Sequence, residues 1–377
     1  MIIVIYLGWI RHNACGGVES FTRNLLDGFA QQPGNKYILI CSKDNYTSFL
    51  HYSKDARFTL VQCDFETADL KRALYFESFK LDKLVSQYHA ELCFVPTYRM
   101  PLLWKKNKYV VVVHDLQVCH FPKNFTFLRR AWIKICSKIS TRRASKVVTI
   151  SDFVKNDVIK QLGGKSEKIT TIHNPVLPSL DFEEFSTIEN ELNISQGQYF
   201  YTVSSLAKHK NVITLLRLMK LIKENDDKNL PDKLVVSGIG LHSKDADNID
   251  NESILSFVKA NQLEDIVVFT GFVSNERRNS LIKNSAFFLF PSLFEGFGMP
   301  PIEAMMIGAK VITTRSTSLP EVTHGKAYYV EEPLDENEWL KVIKEKLQEE
   351  SKVVTFDEYI PKNVAKEYLR VFESIVR

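Results

Sequence analysis

Long apolar runs are missing from this sequence of 377 residues: nothing approaches the ~20 residues that a membrane-spanning helix needs. Cysteine is scarce. The six, Cys15, Cys41, Cys63, Cys93, Cys119 and Cys136, all fall in the N-terminal half. No two are spaced C-x-x-C, and none stands near a histidine at metal-ligand spacing. That argues against a zinc site or a disulfide framework and for buried thiols in a reducing compartment. Met1 to Leu7 are apolar, but no charged segment precedes them and no cleavage site follows, so they read as a strand and not a signal peptide. There is no internal repeat, no low-complexity tract and little net charge, formally +4. Two cofactor motifs fail on inspection. Gly163-Gly164-Lys165-Ser166 ends like a phosphate-binding loop, but Ile159 holds the place of the required glycine. Gly238-Ile239-Gly240 opens like a dinucleotide fingerprint, but Ser243 stands where the third glycine belongs, so an NAD enzyme is not expected.

What is present is an ordinary globular mixture, 45% hydrophobic and 25% charged. Short apolar runs alternate with amphipathic stretches. Strands are expected at Ile2–Leu7, Tyr37–Cys41, Leu92–Val95, Tyr109–Val113, Lys146–Ile150 and Ile169–Ile172. In the second half they are expected at Phe200–Ser204, Lys233–Ser237, Ile266–Thr270, Ala286–Phe290, Lys310–Thr313 and Ala327–Val330. Continuous runs such as Val110 to Val113 suit strands buried on both faces, and alternation with helices implies parallel, doubly wound α/β layers. Asn174-Pro175-Val176-Leu177-Pro178 breaks the pattern with two prolines. Two Rossmann-like domains follow, 1–176 and 177–355, and the final helix, 361–377, is free to pack on either. Ligands of open α/β sheets sit beyond the carboxyl ends of strands, so the parallel sheets should face each other across a ligand-binding cleft.

The most informative stretch is Phe290-Pro291-Ser292-Leu293-Phe294-Glu295-Gly296-Phe297-Gly298-Met299-Pro300-Pro301-Ile302-Glu303-Ala304. A strand ends at Phe290, a loop carries Glu295 and two glycines, and a helix starts near Pro300, since proline suits a first helical turn. A helix mouth offers unpaired N–H groups and partial positive charge to a diphosphate. Glu303 falls in the first turn, where its carboxylate can accept two hydrogen bonds from a vicinal diol such as a ribose. Glu295 is placed to meet a sugar. For either glutamate alone, an acid favoured by the helix dipole is an equally good account; two of them around G-F-G and P-P make that account weaker.

E-G-F-G-M-P-P-I-E-A, with its E-x7-E spacing, resembles the signature of retaining glycosyltransferase family 4, whose members have the two-domain GT-B fold. Further pieces occur in the order that family has them. Gly16-Gly17-Val18-Glu19 is similar to its N-terminal loop, which faces the donor phosphates and the acceptor. His114-Asp115-Leu116 follows the valine run where the family often has a histidine near the donor sugar; a histidine after a strand is otherwise more often structural. Ser204-Ser205-Leu206-Ala207-Lys208-His209-Lys210-Asn211 matches the turn whose Arg-Lys pair meets the diphosphate. Here His209 replaces the arginine and supplies less charge. Gly271-Phe272-Val273 matches the loop near the nucleotide base, and Ser316 to Val322 a later segment in which Glu321 reads as a structural partner.

The resemblance implies a hexosyltransferase. Its expected donor site comprises Gly16, Gly17, His209, Lys210, Gly271, Phe272, Glu295, Gly296, Phe297, Gly298 and Glu303, with Glu295, His114 and Lys210 nearest the chemistry. It implies a nucleotide-diphosphate sugar as donor, GDP-mannose first and UDP-sugars next. No metal motif is visible, and neither a metal nor another cofactor is expected. Pro101 to Lys146 carries eleven Lys or Arg against one acid, Asp115. Within it Leu128, Trp132, Ile135, Cys136 and Ile139 recur at helical spacing. One reading is a core-facing helix with a solvated basic back. The other is a surface for anionic lipid headgroups, which fits a polyprenyl-diphosphate-linked acceptor taken by the N-terminal domain. No aromatic platform or known module supports nucleic acid. The expected setting is bacterial surface-polysaccharide synthesis in the cytoplasm, peripherally on the inner membrane. The rival classes are a GT-B nucleotide-sugar isomerase or hydrolase and a non-catalytic sugar- or lipid-binding module.

Overall fold

The computed structural model describes residues 1–11, 16–101, 105–205, 207–225, 227–239 and 250–376, with the backbone alone for 250–253. Cys15, Leu206, Gly240, Ser243 and positions 102–104 of the basic segment lie outside the described residues. The chain divides into two units, Met1–Val176 with Asp357–Arg377, and Leu177–Phe356.

The first unit holds a seven-stranded sheet of β1 (Ile2–Tyr6), β2 (Lys36–Cys41), β3 (Phe58–Gln62), β4 (Leu92–Val95), β5 (Tyr109–Val113), β6 (Lys146–Thr149) and β7 (Ile169–Thr171). The order is β3-β2-β1-β4-β5-β6-β7, and every pairing is parallel. All five residues of β5 are buried, which is why its run is apolar without alternation. The strand β3 has no counterpart among the sequence expectations. It is an edge strand, Phe-Thr-Leu-Val-Gln, half exposed, so it has polar residues where a central strand has apolar ones. The helix Pro361–Val376 packs against the helix Gly17–Ala30, and the Phe94 ring meets Tyr368 edge-on and lies tilted against Phe372. Burial lifts the Cys41 and Cys63 thiols to about 12, so both stay protonated and inert.

The second unit holds a six-stranded sheet of β8 (Tyr199–Val203), β9 (Lys233–Ser237), β10 (Val267–Gly271), β11 (Phe287–Phe290), β12 (Val311–Thr314) and β13 (Tyr328–Val330). Its order is β10-β9-β8-β11-β12-β13, again parallel throughout. The core gathers Phe200, Leu215, Met219, Leu234, Val236, Leu289, Ile312 and Trp339. Fully burying one such side chain contributes roughly 1.5–3 kcal/mol. In this sheet the chain leaves β8 towards β9 on one side and reaches β11 on the other. The strand order therefore reverses between β8 and β11, which opens a crevice at their carboxyl ends.

The basic helix, Phe127–Arg143, is capped by Thr126, whose side chain accepts from the Arg129 backbone N–H. Its inward side is Cys136, Ser137, Ser140 and Thr141. Of the apolar stripe expected from the periodicity only Cys136 is buried. Leu128 is 79% exposed, Ile135 53% and Trp132 41%, so the core-facing reading of that stripe is corrected. Small residues line the inward side of the helix, which packs beside the helices Gln117–His120 and Asp152–Leu162. The large apolar side chains take the other direction.

Candidate active site

Two loops meet where the strand order of the second unit reverses. One leaves β8 and turns through a short helical segment, Lys208–Lys210. It closes at Asn211, which takes φ +53° and binds Thr214 and the Pro333 carbonyl. The other leaves β11. The Leu293 N–H donates to the His209 carbonyl at 2.7 Å, which stitches the two loops together through backbone. Lys210 Nζ then lies 2.6 Å from Glu295 Oε1, with side chains 23% and 14% exposed. Two residues that stand 85 apart in sequence thus form an ion pair at the mouth of the crevice.

The loop carrying Glu295 is held by hydroxyls that the sequence reading did not single out. Thr317 Oγ1 accepts from the Glu295 N–H at 2.9 Å and lies 2.9 Å from the Glu295 carbonyl. Ser318 Oγ is within hydrogen-bond reach of the Glu295 and Phe297 carbonyls. The signal available was Ser316-Thr317-Ser318 just after β12, but nothing in its residue types says which loop it braces. Gly298 takes φ +99°, and a Cβ there would stand 2.7 Å from Leu319 Cδ2.

The helix begins at Met299 and runs to Ile307. Glu303 is its fifth residue, so it lies in the second turn and not the first as expected. The positive φ of Gly298 ends the loop and starts the helix earlier. Pro300 and Pro301 occupy the next positions, where a missing N–H is tolerated. Of the first three helical residues only Met299 can donate, so the mouth offers fewer N–H groups to an anion than a proline-free one. Glu303 Oε2 lies 3.5 Å from Arg278 Nη2, a partner on the helix Asn275–Asn284 that the sequence reading missed. Burial pushes the Glu303 carboxyl above its usual range, and the Arg278 guanidinium opposes that shift.

His209 is buried. Burial, then the neighbouring Lys210 charge, lowers its pKa to about 4, with Glu295 acting the other way. The imidazole is therefore neutral at pH 7 and does not replace the arginine's charge. The His209 carbonyl accepts from the Leu293 N–H and from Ser292 Oγ. At the ends of the neighbouring strands Tyr201 Oη donates to Ser237 Oγ at 2.9 Å, and Ser237 Oγ lies 2.7 Å from Thr270 Oγ1. Gly271 ends β10 with φ +69°, and Phe272 beside it is 78% exposed.

The remaining expected site residues lie in the first unit. Gly16 is the N-cap of the helix Gly17–Ala30. His114 follows β5, and its Nε2–H donates to the Pro96 carbonyl at 2.9 Å, with the Phe21 ring edge-on at 4.8 Å. Burial lowers the His114 pKa to about 4, so this ring too is neutral. Phe21 belongs to the helix that Gly16 caps, which brings that helix and His114 together within the unit.

Comparison with known proteins agrees with this anatomy. Residues 15–180 match the family Glycosyltransferase Family 4, and residues 184–363 match Glycosyl transferases group 1. The O-antigen chain mannosyltransferase RfbU of Salmonella typhimurium is 28% identical over 327 residues, 85% of each chain. The O-antigen chain mannosyltransferase B of Escherichia coli is 25% identical over 260 residues, 68% of this chain and 65% of that one. Among solved structures, WaaG, a glycosyltransferase involved in lipopolysaccharide biosynthesis, aligns with a TM-score of 0.65 at 14% identity, over 99% of this chain and 98% of that one. Anabaena Alr3699/HepE aligns at 0.66 and 16%, over 99% and 94%. The fold and site define a glycosyltransferase of the GT-B class. The chain carries a Glycosyltransferase Family 4 domain followed by a Glycosyl transferases group 1 domain.

Proposed function

We propose that this glycosyltransferase moves a mannose-type sugar from a GDP-sugar, with retention of configuration, to a lipid-linked saccharide during synthesis of a bacterial surface polysaccharide. The observation that carries the site assignment is the Lys210–Glu295 pair at the strand-order reversal of the second unit. A donor diphosphate competes with Glu295 for the Lys210 ammonium, and its arrival frees the Glu295 carboxylate for the sugar. Lys210 then stabilises the charge that builds on the leaving diphosphate. Glu303 accepts from the ribose hydroxyls. In this reading the C1–O bond to phosphate breaks while the acceptor oxygen bonds C1 on the same face, and the acceptor's proton passes to a phosphate oxygen. The assignments of Gly16 and Gly17 to donor phosphates, and of His114 to the reaction centre, rest on the family resemblance alone. The mannose and polysaccharide assignments are supported by the names of the two mannosyltransferases similar over most of this chain.

The acceptor is assigned to the first unit, where the helix Phe127–Arg143 offers Phe127, Leu128, Trp132 and Ile135 to solvent among Arg129, Arg130, Lys134 and Lys138. Exposed Leu70, Tyr75 and Phe79 lie on a segment whose Leu74 and Ser78 line a small cavity together with Trp132. Apolar residues ringed by cations suit an anionic lipid surface. Among the described residues no helix is long and apolar enough to cross a membrane.

The test is turnover of GDP-mannose and UDP-glucose with a polyprenyl-diphosphate saccharide, after ranking GDP, UDP, CDP and ADP by thermal shift. GDP protection and acceptor-dependent GDP-mannose turnover are expected, unchanged by EDTA because the diphosphate is held by Lys210. Turnover without acceptor would reassign the protein as a hydrolase. Activity lost to EDTA and restored by Mg²⁺ would remove the metal-independent reading.

A further inference from the structure

We infer that Arg278 is a positioning residue for the donor nucleotide, a fixed cation that holds Glu303 aimed at the ribose. The inference rests on the assignment of Glu303 to the ribose made above.

Neighbouring residues on the helix Asn275–Asn284 divide the work. Ser274 caps it, accepting from the Arg277 N–H at 3.1 Å. Arg277 pairs with Glu191 at 2.8 Å and Glu183 at 3.6 Å. Asn279, fully buried, donates to the Ser179 carbonyl at 2.6 Å and the Asp181 carbonyl at 3.2 Å. Ser280 donates to the Glu183 carbonyl. These contacts fasten the helix to the 179–191 segment along one side. Arg278 points elsewhere, to the helix Met299–Ile307, where its Nη2 meets Glu303 Oε2 at 3.5 Å. Among the described residues its Nε is buried without a hydrogen-bond partner, and Nη2 has a long 3.5 Å approach to Asn279 Oδ1, with the Tyr201 phenol also in its field. The carboxylate is therefore the principal partner of this guanidinium.

A glutamate has three rotatable side-chain bonds, and recognition of a diol needs one setting of them. An arginine anchored on a fastened helix selects that setting before the nucleotide arrives, which lowers the ordering cost of binding. It takes Oε2 and leaves Oε1 for a hydroxyl. It also offsets the penalty of a buried carboxylate. A residue that acts this way changes nucleotide affinity and leaves the chemistry at the sugar alone.

The experiment is titration calorimetry of the wild type, Arg278→Met, Arg278→Lys, Glu303→Gln and the Met/Gln double variant with GDP and 2′,3′-dideoxy-GDP, and with the UDP pair in parallel. Wild type is expected to prefer the ribonucleotide. Glu303→Gln and Arg278→Met should each remove about tenfold of that preference and leave dideoxy affinity unchanged. The double variant should be no worse than either single one, because the two act as one unit. Arg278→Lys should recover part of the loss, and KM for GDP-mannose should rise in Arg278→Met with kcat within about twofold. If Glu303→Gln keeps the wild-type preference, the ribose assignment itself falls. If Glu303→Gln loses it but Arg278→Met keeps it, or weakens both nucleotides equally, the inference is overturned and the ribose assignment stands. Should Arg278→Met not fold, Arg278→Gln decides in its place: it removes the charge and keeps a polar side chain, and an unchanged ribose preference in that variant would sink the positioning role.

Discussion

At the scale of single residues, the two glutamates of the E-x7-E motif differ in what they touch. Glu295 meets Lys210, and Glu303 meets Arg278. Glu303→Ala should weaken nucleotide binding by roughly 1.5–3 kcal/mol, about tenfold to a hundredfold, read by calorimetry. Unchanged affinity would take Glu303 out of the site. Glu295→Ala should act mainly on turnover, and Lys210→Ala on both affinity and turnover. Breaking the pair leaves a mostly buried charge alone, so Lys210→Ala should also lower the melting temperature. Its kinetics are best measured well below that. Normal turnover in either variant would count against its assignment.

The two histidines give a pH prediction. His114 and His209 are pushed down to about 4 by burial, against an ordinary value near 6.5. Between those values the unfolded chain binds protons that the folded one refuses, so stability rises with pH there. It is fully present above about 6.5 and is lost as pH falls towards 4. Urea melts at pH 7.5 and 5 should show the loss, and His209→Gln should reduce it. Nucleotide affinity should show no step between pH 6 and 8 from His209. A step that vanishes in His209→Gln would mean that the imidazole carries charge in the complex. The residue types were legible in the sequence as a carboxylate, an ammonium and a missing arginine. Their partners were not, because Lys210 and Glu295 are joined by neighbouring strands of the sheet and not by sequence spacing.

At the scale of elements, the strand ends do the positioning. Gly238 follows β9 with φ +86°, and a Cβ there would stand 2.6 Å from the Ser204 carbonyl oxygen at the end of β8. Gly238→Ala should therefore cost more than ~1 kcal/mol in urea unfolding. An unchanged midpoint would show that the turn relaxes freely. Central strands were readable because burial on both faces demands unbroken apolar runs. The edge strand β3 was not readable, since half its residues face water. The basic helix shows a further limit. Periodicity located its apolar stripe at Leu128, Trp132 and Ile135, but periodicity has no sign: it does not say whether a stripe faces the core or the solvent. The alternative side, Ser137, Ser140 and Thr141, looks polar in sequence and is the side that packs.

At the scale of the whole molecule, both units repeat one parallel plan, with strand order reversing beside the first strand of each sheet. The outward stripe on the first unit makes a prediction for the entire chain. It should co-sediment with vesicles containing phosphatidylglycerol and not with pure phosphatidylcholine, with binding falling as salt rises. Leu128→Ser with Ile135→Ser should weaken that binding while leaving GDP affinity untouched. Equal binding to both vesicle types would remove the anionic-surface reading.

The sequence by itself determined the α/β class, the central strands and the loop motifs that carry the family resemblance. Those depend on local demands: burial of a strand, a turn after it, a proline at a helix start. The tertiary structure decided which charges are paired, that the histidines are neutral, that Glu303 falls just past the first helical turn, and which way the basic helix faces. Each of these depends on which distant segments the sheet brings side by side and how far they exclude water, and neither is encoded in the spacing of residues along the chain.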